Sequence, residues 1–114
     1  MALHENMKNA KIIEEVFGYL LENGYKKINV SIEIKEEETT FVATIHTKNE
    51  KIVTQLKNDI FCCRESELEE YGWELMGDET CVCELKTVGM LVDNYDIAYE
   101  NEICTLTLHR KKLY

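Results

Sequence analysis

Leu20-Leu21-Glu22-Asn23-Gly24-Tyr25 and Leu68-Glu69-Glu70-Tyr71-Gly72-Trp73 both read Leu-x-Glu-x-Gly-aromatic, and they lie 48 residues apart. Each phrase closes a stretch with helical apolar spacing and leads into alternating, strand-like sequence. The repetition predicts a helix-strand-strand unit used twice, over about 9–47 and 48–110, within one domain spanning 1–114. The expected fold class is α+β: a single antiparallel sheet with its helices packed on one face.

Upstream of the first phrase, Ile13, Val16, Phe17, Leu20 and Leu21 follow the spacing of one buried helical face. The spacing predicts a helix from Asn9 to Asn23 with Met1 to Asn6 as a tail. Gly24 falls where a helix stops, because glycine adopts the left-handed cap conformation at little cost. Downstream, Lys27–Lys35 and Thr39–Thr47 alternate apolar and polar residues, as half-buried strands do. Folding back between Glu37 and Glu38 sets Ile34 against Phe41, Ile32 against Ala43 and Val30 against Ile45, apolar meeting apolar throughout. Glu36-Glu37-Glu38 lacks the Asn-Gly or Asp-Gly of a tight primed turn, so a wider loop is expected.

In the second half, Ile52, Leu56 and Ile60 sit at helical spacing, although Ile52-Val53-Thr54 would also suit a strand; a helix is the expectation over 48–61. Ser66-x-x-Glu69 matches a capping box, and a short helix ending at Gly72 should follow. A third strand is expected over Thr80–Thr87, with Cys81, Cys83 and Leu85 on one face, and a last strand over Glu102–Arg110, with Cys104, Leu106 and Leu108 inward. The intervening 88–101 reads as a long connection, rich enough in apolar and aromatic residues to fold back on the core.

Charge is placed unevenly. The chain carries a net charge of −9; residues 1–64 contribute −1 and residues 65–114 contribute −8. Such a field repels nucleic-acid phosphates, so no direct nucleic-acid partner is expected, and it attracts basic protein surfaces. No stretch approaches the roughly 18 uninterrupted apolar residues of a membrane span, and no signal-peptide pattern is present. Five cysteines, an odd number, sit awkwardly with a secreted disulfide framework. The expectation is a cytoplasmic protein with no membrane partner.

Chemical motifs are sparse. Cys62-Cys63 and Cys81-x-Cys83 lack the Cys-x₂₋₄-Cys loop that lets two sulfurs face one zinc ion, so no metal site is expected. A regulatory thiol at Cys62 or Cys63, beside Arg64, and a small buried apolar role for the others remain the competing readings. His4, His46 and His109 have no second ligand or general-base partner at a recognisable spacing. The only serines are Ser31 and Ser66, neither in a nucleophile elbow, and no phosphate-cradling loop occurs. The sequence therefore predicts a non-enzymatic protein without a cofactor.

The acidic run from Glu65 to Glu84 holds eight acids and no base. The function expected is that of a small acidic interaction protein whose C-terminal half binds a basic protein partner, in the manner of a phage or bacterial inhibitor that mimics a phosphate backbone. The partner-binding candidates are Glu67, Glu69, Glu70, Asp93, Tyr95, Asp96, Tyr99 and Glu100. The alternative is a small-molecule or metal-responsive binding domain. A homodimer through an exposed sheet edge or the polar sheet face is compatible with either.

Overall fold

In the computed structural model of the chain, residues 2–60 and 85–112 are described. They form α1 (Ala2–Glu22), β1 (Ile28–Ile34), β2 (Glu38–His46), α2 (Lys51–Asp59), α3 (Leu85–Gly89), β3 (Asn94–Glu100) and β4 (Ile103–Lys111). The strands make one antiparallel sheet in the order β1-β2-β4-β3. The fold is α+β, and no described helix is long and apolar enough to cross a membrane.

Alternation decides which sheet face is covered. On β2 and β4 every second residue is buried: Thr39, Phe41, Ala43 and Ile45, then Cys104, Leu106, Leu108 and Arg110. Against this face pack Ile12, Val16, Tyr19 and Leu20 of α1, Ile52 and Leu56 of α2, and Leu85 and Val88 of α3. Each fully buried aliphatic side chain contributes about 1.5–3 kcal/mol. The helix stop is as expected: Gly24 has φ +86°, Gly24 N–H donates to the Leu21 carbonyl and Tyr25 N–H to the Leu20 carbonyl, each at 3.1 Å. This paired pattern satisfies carbonyls that the helix end would otherwise strand.

Several expectations need correction. Residues 2–6, read as part of a tail, are the start of α1, held down by an ion pair of Glu5 that periodicity cannot register. The buried stripe of α1 is also rotated: Ile12 and Tyr19 point inward, while Leu21 is 63% exposed. In the first hairpin the register slides by two residues, to Ile28↔Ile45, Val30↔Ala43, Ile32↔Phe41 and Ile34↔Thr39. The turn is tight rather than wide: Lys35 N–H donates to the Glu38 carbonyl at 2.9 Å across Glu36-Glu37. A slip of two preserves the faces, so the pattern of apolar residues could not distinguish the two registers.

Residues 85–87, expected to continue a strand, begin α3, and the expected 88–101 connection contains β3. It does fold back on the core: Val88, Leu91 and Val92 are buried, and Tyr95, Ile97 and Tyr99 pack against the cluster. The helix expected over 48–61 forms as α2. The capping box at Ser66 and Glu69, the short helix ending at Gly72 and the Cys81/Cys83 stripe lie outside the described residues. The 48-residue duplication is not confirmed. The two hairpins correspond at a different offset, since Val30 pairs with Ala43 and Tyr95 with Leu108, each 65 positions on.

Candidate functional site

The sheet face that no described helix covers, called the open face below, is built by the residues that alternate with the core. It presents Asn29, Ser31 and Glu33 on β1, Thr40, Val42 and Thr44 on β2, Thr105, Thr107 and His109 on β4, and Asp96, Ala98 and Glu100 on β3. None of these is buried. Threonine and valine suit an open pleated surface because their branched side chains pack along the strand while the hydroxyls remain solvated.

Charge on this face is concentrated towards β3. Asp96 and Glu100 are exposed there. His109 lies between two carboxylates, with Nδ1 3.9 Å from Glu38 Oε1 and Nε2 3.8 Å from Asp96 Oδ2. On the far side Lys35 Nζ lies 3.4 Å from Glu33 Oε1 and offsets its charge.

The other partner-binding candidates are placed differently. Tyr95 and Tyr99 turn towards the core, and the Tyr99 hydroxyl donates to the Thr47 carbonyl at 2.7 Å. Asp93 ties the sheet edge together: its Oδ2 accepts from Lys111 N–H at 2.6 Å, and its own N–H donates to the His109 carbonyl at 2.7 Å. Glu67, Glu69 and Glu70 lie outside the described residues. Of the eight candidates the structure thus brings Asp96 and Glu100 together on the open face.

Two polar networks sit on the covered side. Arg110 is 1% exposed, and its Nε and Nη2 each reach the Glu5 carboxylate at 2.8 Å while Nη1 donates to the Leu91 carbonyl at 2.6 Å. Asn9, one turn along α1 from Glu5, is 3% exposed with neither side-chain polar atom bonded, and the hydroxyl of Thr39, register partner of Arg110, is likewise unbonded. Sequence reasoning missed this cluster, although Arg110 shares the inward parity of Cys104, Leu106 and Leu108. The second network joins α1 to α2: Tyr19 donates to Asp59, Tyr25 to Gln55 at 3.2 Å, and Gln55 to Asn23 at 2.8 Å. Burial, then the hydrogen bond to Asp59, pushes the Tyr19 phenol well above its ordinary value.

Neither network assembles a nucleophile with a general base. Among the described residues no group of three or more His, Cys, Asp or Glu could hold a metal ion. Cys104 is buried, and burial pushes its thiol up, away from the reactive thiolate. Cys62, Cys63, Cys81 and Cys83 lie outside the described residues. A recess of about 330 Å³ opens beside His46, Thr47, Lys48 and the β3–β4 turn.

No family model, no curated protein and no solved structure matches the chain.

Proposed function

We propose that the protein is a small acidic interaction protein without enzymatic activity, which binds a basic protein surface through its C-terminal half. The observation that carries this reading is the open sheet face: four strands present a surface with no buried residue, and its β3 side carries Asp96 and Glu100. A flat, threonine-rich face supplies area for contact, and the carboxylates supply steering and register against a partner of opposite sign. The acidic run from Glu65 to Glu84, including Glu67, Glu69 and Glu70, adds to the net negative charge that would attract such a partner. Tyr95 and Tyr99 serve this surface from behind, by anchoring β3 to the core.

The test is partner capture from a lysate of the source organism, comparing the natural protein with Asp96→Lys/Glu100→Lys. Both substitutions are on exposed positions, so circular dichroism should be unchanged. The reading expects a captured protein of basic isoelectric point that is lost from the variant. Equal capture by both proteins would overturn it.

A further inference from the structure

We infer that the open face receives a single basic, amphipathic helix of the partner, lying along β3 and β4 with two lysine or arginine side chains on Asp96 and Glu100. This rests on the basic-partner reading and deepens it by naming the element that docks.

The backbone selects a helix. β2 and β4 are each bonded on both sides, in the order β1-β2-β4-β3. Their amides and carbonyls lie in the plane of the sheet, so the face above them offers side chains only. An extended segment laid on that face would bury its own N–H and C=O groups without partners, an unfavourable outcome for each group. A helix bonds its own backbone and brings only side chains. The covered face of the same sheet is filled in this way, by α1, α2 and α3.

Side-chain size gives the position. The floor is short-sided: Ala98 on β3, Thr105 and Thr107 on β4, and Val42 and Thr44 on β2, in register across the three strands. Neighbouring strands lie about 4.8 Å apart, so a helix about 10 Å across rests on two to three of them. Longer side chains bound this floor, with His109 at one end and the register pair Glu100 and Ile103 at the other.

Charge gives the orientation and the chemistry of the occupant. Asp96 and Glu100 are exposed and flank Ala98 on the terminal strand β3, so they line one side of the floor. Four residues of strand separate their Cα atoms by about 13 Å. Seven or eight helical residues span about 10–12 Å, and the flexible stems of lysine or arginine take up the remainder. A helix with its axis along β3 and bases two turns apart therefore meets both carboxylates. Across the sheet Glu33 is already met by Lys35, at 3.4 Å, which leaves β3 as the side that draws a basic partner.

The inference is tested with synthetic peptides of about 20 residues, titrated into the natural protein by calorimetry and amide chemical-shift mapping. The first forms a helix with leucine and alanine on one face, glutamine on the other, and two lysines about seven positions apart along the boundary. The second has the same composition with its lysines about five positions apart, on opposite sides of the helix. The third is the first with two central prolines, which break the helix. The first peptide should bind saturably, with shifts at Ala98, Thr105 and Thr107, and the other two at least roughly tenfold more weakly. Asp96→Lys/Glu100→Lys should lose the first peptide by a similar factor, as should Ala98→Trp, which fills the floor from an exposed position. Absence of saturable binding by the first peptide overturns the inference, and so does indifference to Ala98→Trp. Equal binding by all three peptides overturns the helix while leaving the basic-partner reading in place. Binding of the first peptide that ignores Asp96→Lys/Glu100→Lys overturns both.

Discussion

Arg110 and Glu5, 105 residues apart in sequence, form a two-pronged ion pair beneath the first turns of α1, with both N···O distances at 2.8 Å. It fastens the start of the chain to the end of the last strand. The two ends of the pair are not equivalent. The Arg110 side chain is 1% exposed, whereas Glu5 is 25% exposed and can turn towards water.

That asymmetry predicts unequal costs. Glu5→Gln removes a bidentate counter-charge from a buried guanidinium and should destabilise the fold by about 3 kcal/mol. Arg110→Met keeps an apolar stem and removes the guanidinium from a carboxylate that solvent can reach, so its cost should be smaller. Urea unfolding of both variants checks the order; a larger loss for Arg110→Met would contradict it.

The unbonded side chains beside this pair make the opposite prediction. A buried amide without partners costs about 1–3 kcal/mol. Asn9→Leu, close in shape, should therefore stabilise the protein by about 1 kcal/mol or more, and Thr39→Val by a similar or smaller amount. Destabilisation by Asn9→Leu would mean that ordered water satisfies the amide.

The β3–β4 turn holds Asn101 at φ 52° and Glu102 at φ 62°, the left-handed pair of a primed hairpin turn. Asparagine tolerates that region; glutamate does so at a cost. Glu102→Gly should raise stability by about 0.5–1 kcal/mol, the relief of strain exceeding the added freedom of the unfolded chain. A lower melting temperature for Glu102→Gly would count against the turn assignment.

Alkaline stability follows from Tyr19. Its phenol is raised by burial first and then by the bond to Asp59, and Tyr25 and Tyr99 shift in the same direction, each mainly through burial. A raised folded-state value gives stability that is fully present below the unfolded value of about 10 and is lost as pH rises towards the folded value. Unfolding free energy should decline above about pH 10, and Tyr19→Phe should flatten the decline. A slope unchanged by Tyr19→Phe would refute the assignment.

Much of the architecture was legible in alternation and helical spacing. Both central strands, the Gly24 cap and α2 are where the sequence places them, because each is set by local pattern. What escaped the reading was set by distant partners. The first turns of α1 depend on Arg110, the register of the first hairpin on a tight Glu36-Glu37 turn, and β3 on the burial of Tyr95, Ile97 and Tyr99. The candidate site was half legible. Acidic composition pointed to the second half of the chain, but only strand parity separates Asp96 and Glu100, which face outward, from Tyr95 and Tyr99, which do not.

The most direct measurement is an amide chemical-shift map of the isotope-labelled protein titrated with its captured basic partner. The account predicts perturbations concentrated on the open face, at Asp96, Ala98, Glu100, Thr105 and Thr107, and weakened by added salt. Perturbations confined to the helical side, around Glu14, Leu21 and Glu22, with the open face unchanged, would contradict it.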